Sequence, residues 1–137
     1  MSRLQLALNV SNIDTAVDFY SKLFSTEPSK RRPGYANFAI AEPPLKLVLF
    51  ENPGATGKLN HLGIEVESSE KVIEAGDRLK QANLNVKAEP QTTCCYALQD
   101  KVWVSDPDGD DWEVYTVLKD SATFARGGAE TATSACS

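Results

Sequence analysis

Apolar residues in this chain follow two rhythms, and both rhythms occur twice. Leu4-Gln5-Leu6-Ala7-Leu8-Asn9-Val10 alternates, with Leu6, Leu8 and Val10 on one side and Gln5 and Asn9 on the other. Asn60-His61-Leu62-Gly63-Ile64-Glu65-Val66 alternates in the same phase. A period of two is that of a half-buried strand, so each segment is expected to form one. Laid over each other, the segments match Leu6 with Leu62, Leu8 with Ile64 and Val10 with Val66, which points to an internal repeat. A helical rhythm follows each strand. Asn12 or Asp14 can cap a helix with Ala16, Val17, Tyr20, Leu23 and Phe24 on one face. Ser68 or Ser69 can cap a second with Val72, Ala75, Leu79 and Ala82.

Three strand-like segments come after each helix. In the first half they lie near residues 27–30, 35–41 and 46–50, and in the second near 85–88, 96–105 and 112–118. The polar triplet Gln99-Asp100-Lys101 is expected to interrupt the middle one with a turn. Pro43-Pro44 and Asp106-Pro107-Asp108-Gly109 supply turn chemistry before the last strand of each half. The pattern predicts an α+β fold of two βαβββ modules, at about residues 3–52 and 58–118, within one domain spanning 1–119. Asn52-Pro53-Gly54-Ala55-Thr56-Gly57 links them. With helices outside and sheets facing each other, two such modules would enclose a cleft. Residues 120–137 are rich in Ser, Ala, Thr and Gly, with Phe124 the one large apolar residue, and read as a disordered tail.

Composition narrows the partners. Hydrophobic residues make up 42% and charged residues 24% of the 137, as in an ordinary soluble protein. A formal net charge of −5 argues against a nucleic-acid partner, because phosphate binding needs a concentrated basic face. The one dense basic run, Lys30-Arg31-Arg32, reads as a solvated turn. The longest apolar run, around residues 45–50, is far too short to cross a bilayer, and the first residues lack the apolar core of a signal peptide. Three cysteines, two of them adjacent, make no disulfide framework, so a reducing cytoplasm is expected. A homodimer, with modules paired within or between chains, is compatible with the repeat.

The repeat also marks candidate chemistry. His61 is the single histidine of the chain, and Gln5 holds the equivalent position on the equivalent strand. Glu113, in Trp112-Glu113-Val114-Tyr115, sits on the last strand among large apolar neighbours. An inward carboxylate is costly unless it is paired or binds a metal. The counterpart of Glu113 in the first half falls near Leu47, which cannot ligate, so symmetry predicts three protein ligands rather than four. One imidazole, one carboxylate and one amide oxygen would leave open positions, the mark of a catalytic centre. Such donors favour Fe(II) or Mn(II), with Ni(II) or Co(II) as substitutes. On pattern alone Gln5 reads equally well as a polar strand residue.

Cys94 and Cys95 are the second signal. Neighbours in a regular strand point to opposite faces, so the two thiols grip one atom only if the backbone leaves strand geometry. Their setting, Glu89-Pro90-Gln91-Thr92-Thr93, reads as a loop. Convergent thiolates suit As(III), Cd(II) or Hg(II), whereas the bland alternative is two buried structural cysteines. Cys136, in the tail, could join them on a soft ion.

Taken together, these residues resemble the vicinal-oxygen-chelate superfamily of glyoxalases, bleomycin-resistance proteins and dioxygenases. The resemblance sharpens with Arg32-Pro33-Gly34-Tyr35-Ala36-Asn37-Phe38-Ala39-Ile40, Pro43-Pro44-Leu45-Lys46-Leu47-Val48-Leu49, Asn60-His61-Leu62-Gly63, Cys94-Cys95-Tyr96-Ala97, Gln99-Asp100-Lys101-Val102-Trp103-Val104 and Trp112-Glu113-Val114-Tyr115. These stretches are similar to the subgroup of the cadmium-induced protein and the organoarsenical carbon–arsenic lyase. The resemblance implies an Fe(II)- and O₂-dependent enzyme that cleaves trivalent organoarsenicals such as methylarsenite to arsenite, in arsenic detoxification. It implies Gln5, His61 and Glu113 as metal ligands and Cys94 and Cys95 as the arsenic-binding pair. The alternatives are a cadmium- or arsenite-binding resistance protein without turnover, and a superfamily enzyme for an ordinary organic substrate.

Overall fold

The computed structural model describes residues 2–55, 59–94 and 96–120. The chain divides into two compact units, Arg3–Asn60 and the part from His61 onward. The expected disordered tail, with Cys136, and the residue Cys95 lie outside the described residues, except that the last strand runs on to Asp120.

In the first unit the alternating segment forms β1 (Arg3–Val10), followed by α1 (Ile13–Phe24), β2 (Lys30–Arg32), β3 (Tyr35–Ile40) and β4 (Leu45–Glu51). Asn12 is the cap of α1; its side chain accepts a hydrogen bond from the Thr15 backbone N–H at 2.9 Å, satisfying a donor the helix itself leaves open. Ser25 ends the helix in a left-handed conformation at φ 50°. The sheet order is β2-β3-β4-β1, with β1 and β4 parallel and the other pairs antiparallel. Ile13 and Val17 of α1 pack on Ala36, Phe38, Ile40, Leu47 and Leu49, with Leu6, Leu8 and Val10 against them. Leu23, expected on the inner helix face, is exposed. Strand alternation sends Gln5, Ala7, Asn9, Lys46 and Val48 to the opposite sheet face, and all five are buried.

The second unit repeats the order with β5 (Leu59–Glu65), α2 (Ser69–Gln81), β6 (Lys87–Cys94), β7 (Ala97–Ser105) and β8 (Asp111–Asp120). Its sheet runs β5-β8-β7-β6, with β5 and β8 parallel. Ser68 caps α2. Val72 and Ala75 pack on Val102 and Val114, and Gly76 lets the helix approach so closely that an added Cβ would lie 3.3 Å from Val102 Cγ1. Ala82 is the exposed C-cap and not part of the buried face. Each unit is thus a βαβββ module, as the repeat predicts.

Three expected turns or loops are corrected, the first being Lys30-Arg31-Arg32, which is strand β2 and no turn. Gln99-Asp100-Lys101 is no turn: β7 runs through it, with a register shift between Leu98 and Gln99. Gln99 and Lys101 are buried there, so the polarity that reads as a turn belongs to an inward-facing polar face. The segment before Cys94 is likewise strand, with Cys94 opposite Ala97.

Candidate metal centre

The face of the second sheet turned away from α2 carries the candidate residues His61 and Glu113. Glu113 and Tyr115 flank Val114, which packs under α2, so alternation places both on the other side. Lys101 and Trp103 flank Val102 in the same way. On β5, Gly63 pairs in register with Glu113, and His61 shares its face. The result is a cluster withdrawn from water: His61 and Lys101 are 1% exposed and Glu113 is 0% exposed.

His61 Nε2 lies 3.0 Å from Glu113 Oε2. The other oxygen, Oε1, lies 2.9 Å from Lys101 Nζ. The His61 ring meets Trp103 edge-on, with centroids 5.4 Å apart at 71°. Trp103 Nε1 donates to Glu89 Oε1 at 3.2 Å, and Tyr115 OH donates to Glu65 Oε1 at 3.4 Å. His61, Glu113, Lys101, Trp103 and Tyr115 thus each have a partner, which offsets part of the penalty of burying their polar groups.

Does this geometry suit a divalent ion? First-row ions bind imidazole nitrogen and carboxylate oxygen at roughly 2.0–2.2 Å, so two such donors at a right angle stand about 3.0 Å apart. The His61–Glu113 contact has that separation, and both atoms sit in a dry setting that strengthens coordination. Among the described residues no group of three or more His, Cys, Asp or Glu side chains gathers to hold a metal. Gln5 is a fully buried amide in the first unit, opposite Lys46 in the β1–β4 register.

The β-ladder also refines the symmetry argument. Ala7 pairs with Val48 and the equivalent Gly63 pairs with Glu113, so the counterpart of Glu113 is Val48 and not Leu47. A one-residue slip exchanges the two faces of a strand, and Leu47 belongs to the core beneath α1. Val48 offers no donor atom either. Of the thiols, Cys94 is the last residue of β6, and Tyr96, two residues on, has φ 66°. Lys101 escaped the sequence reading. Its period-two spacing from Trp103 was the available signal, but the neighbouring Asp100 gave the triplet the look of a turn.

A family model described as the glyoxalase/bleomycin resistance protein/dioxygenase superfamily matches residues 3–114. A cadmium-induced protein of Mycobacterium tuberculosis is 63% identical over 127 residues, covering 93% of this chain and 84% of its own. A trivalent organoarsenical cleaving enzyme of Thermomonospora curvata is 58% identical over 127 residues, covering 92% and 84%. Among solved structures, the Mn(II)-bound glyoxalase of Novosphingobium aromaticivorans superposes with a TM-score of 0.61 at 18% identity, over 95% of this chain and 44% of that one. No helix among the described residues is long and apolar enough to cross a membrane. From its repeated βαβββ modules and these similarities, the chain belongs to the glyoxalase/bleomycin resistance protein/dioxygenase superfamily.

Proposed function

We propose that this chain is a non-haem Fe(II)-dependent, O₂-using carbon–arsenic lyase that converts trivalent organoarsenicals such as methylarsenite to arsenite. The observation that carries the reading is the buried His61–Glu113 pair, one nitrogen and one oxygen donor 3.0 Å apart. Likeness to the organoarsenical cleaving enzyme over nearly the whole chain supports the choice of substrate. In this reading His61, Glu113 and Gln5 hold the metal, and Cys94 and Cys95 hold the arsenic atom of the substrate. Iron with O₂ supplies the redox chemistry that breaks the carbon–arsenic bond; Mn(II), Co(II) or Ni(II) would occupy the same donors.

The protein's own work is capture, orientation and exclusion of water. Arsenic(III) is soft and binds thiolates in preference to hard oxygen donors. Two thiolates fix its position, so the carbon substituent is presented in a restricted set of directions. Trp103 covers one side of the His61 imidazole and keeps bulk water from that edge.

The test is arsenite release from methylarsenite by iron-reconstituted protein, in air and under nitrogen. Turnover in air and none under nitrogen is expected; full turnover without oxygen would exclude the oxidative reaction. Cys94→Ser is expected to abolish arsenical capture with metal content unchanged, and Glu113→Ala to lose metal with capture retained. A second reading, favoured by the similarity to the cadmium-induced protein, is sequestration of Cd(II) or arsenite without turnover. Stoichiometric binding of methylarsenite with no arsenite formed would select it.

A further inference from the structure

Lys101 is the member of the cluster to which the proposed reaction assigns no task. Its ammonium is withdrawn from solvent, with side-chain exposure of 0%. It lies 5.4 Å from the centroid of Trp103 and 5.9 Å from that of Tyr115. A buried ammonium is costly unless it is paired and hydrogen-bonded, and here one carboxylate oxygen and two aromatic faces supply that compensation. The strand register explains the arrangement. Lys101 stands directly across from Tyr115, and Trp103 across from Glu113. The Lys101–Glu113 ion pair is therefore the diagonal of a four-residue square, a span that a long side chain bridges. The two rings occupy the other corners and confine it.

We propose that Lys101 is a positioning residue for the metal centre: by occupying Glu113 Oε1, it leaves Oε2 as the one carboxylate oxygen offered on the His61 side. The inference rests on the metal-centre reading above. A carboxylate has two oxygens and a free torsion, and left to itself it can chelate with both or rotate away. Here the two oxygens have different partners, Lys101 at 2.9 Å on one and His61 at 3.0 Å on the other. Contacts at both ends fix the plane of the group. Glu113 would then bind through one oxygen, keeping the opposite coordination positions open for small molecules. A mere counter-charge would not need this geometry, since any buried cation near Glu113 would serve.

That difference supplies the test. The full chain, its Glu113→Ala variant, Lys101→Met and Lys101→Arg are titrated with Co(II), whose visible absorption reports both affinity and ligand arrangement. Circular dichroism and thermal melting of each apoprotein check the fold. Lys101→Met is expected to raise the Co(II) dissociation constant about 10–100-fold, the usual effect of losing an outer-sphere partner, and to shift the visible bands. Lys101→Arg keeps the charge, but its fork can take both carboxylate oxygens, so it too is expected to weaken binding at least about tenfold. A Lys101→Met protein with unchanged affinity and spectrum would overturn the proposal. So would a folded Lys101→Arg protein that binds as the parent does, and this variant decides alone if the methionine variant does not fold. Parent-like Co(II) binding by Glu113→Ala would instead overturn the metal-centre reading itself.

Discussion

Three ionisable side chains buried side by side on one sheet face are expensive to desolvate, and their mutual contacts are what make the arrangement stable. Glu113 stands between Lys101 and His61, each at hydrogen-bond distance from a different oxygen. Removing the central carboxylate leaves an ammonium in a dry site with no counter-charge. Glu113→Ala is therefore expected to cost about 3–5 kcal/mol, beyond any loss of metal, when apoprotein unfolding in urea is measured. The double variant Lys101→Met, Glu113→Leu replaces the pair with apolar groups of similar volume and is expected to recover most of that loss. If the double variant is as unstable as the sum of the singles, the two residues are not energetically coupled. The inward placement of His61 and Glu113 was legible because the repeat and the flanking apolar residues gave them inward positions. Lys101 was not, since a lysine in a polar triplet gives no local sign that the strand on either side will carry it inward.

At the level of elements, local chemistry had the upper hand. Both helices begin where a short polar side chain can cap them, and the alternating segments became strands. The structure chose Asn12 over Asp14 and Ser68 over Ser69, because each chosen side chain reaches the backbone N–H three residues on. Asn12→Ala is expected to cost about 1 kcal/mol, seen as a melting temperature lower by a few degrees. A more sensitive element is α2, seated on β7 through Gly76. Gly76→Val would drive a branched side chain into Val102 and is expected to destabilise by about 1–3 kcal/mol, despite valine's better helix propensity. Unchanged or raised stability would show that the helix can shift outward freely. The same seating explains why β7 had to be continuous: Val102 faces the helix, so Gln99, Lys101 and Trp103 must face the other way.

At the level of the molecule, binding an ion is linked to stability. A metal that binds only the folded chain stabilises it by about 2.7 kcal/mol at a hundredfold excess over its dissociation constant. Thermal melting is expected to rise with Mn(II), Co(II) or Fe(II) and to fall back on adding a chelator, with Glu113→Ala showing no rise. A melting curve indifferent to every such ion would remove the metal centre. The two-module organisation was open to a reader of the chain, because each module repeats strand, helix and three strands with matched apolar phase. Sequence alone determined the order of strands and helices, the short list of cap candidates, the family resemblance and the inward placement of His61 and Glu113, since these depend on local periodicity and on the intolerance of buried positions for unpaired charge. Only the tertiary structure decided that Lys101 lies on Glu113, that Val48 rather than Leu47 is its symmetry counterpart, and that Gln99-Asp100-Lys101 is strand. Those outcomes depend on the register between strands distant in the chain, and a single-residue change of register, invisible in the order of residues, exchanges every inward side chain for its outward neighbour.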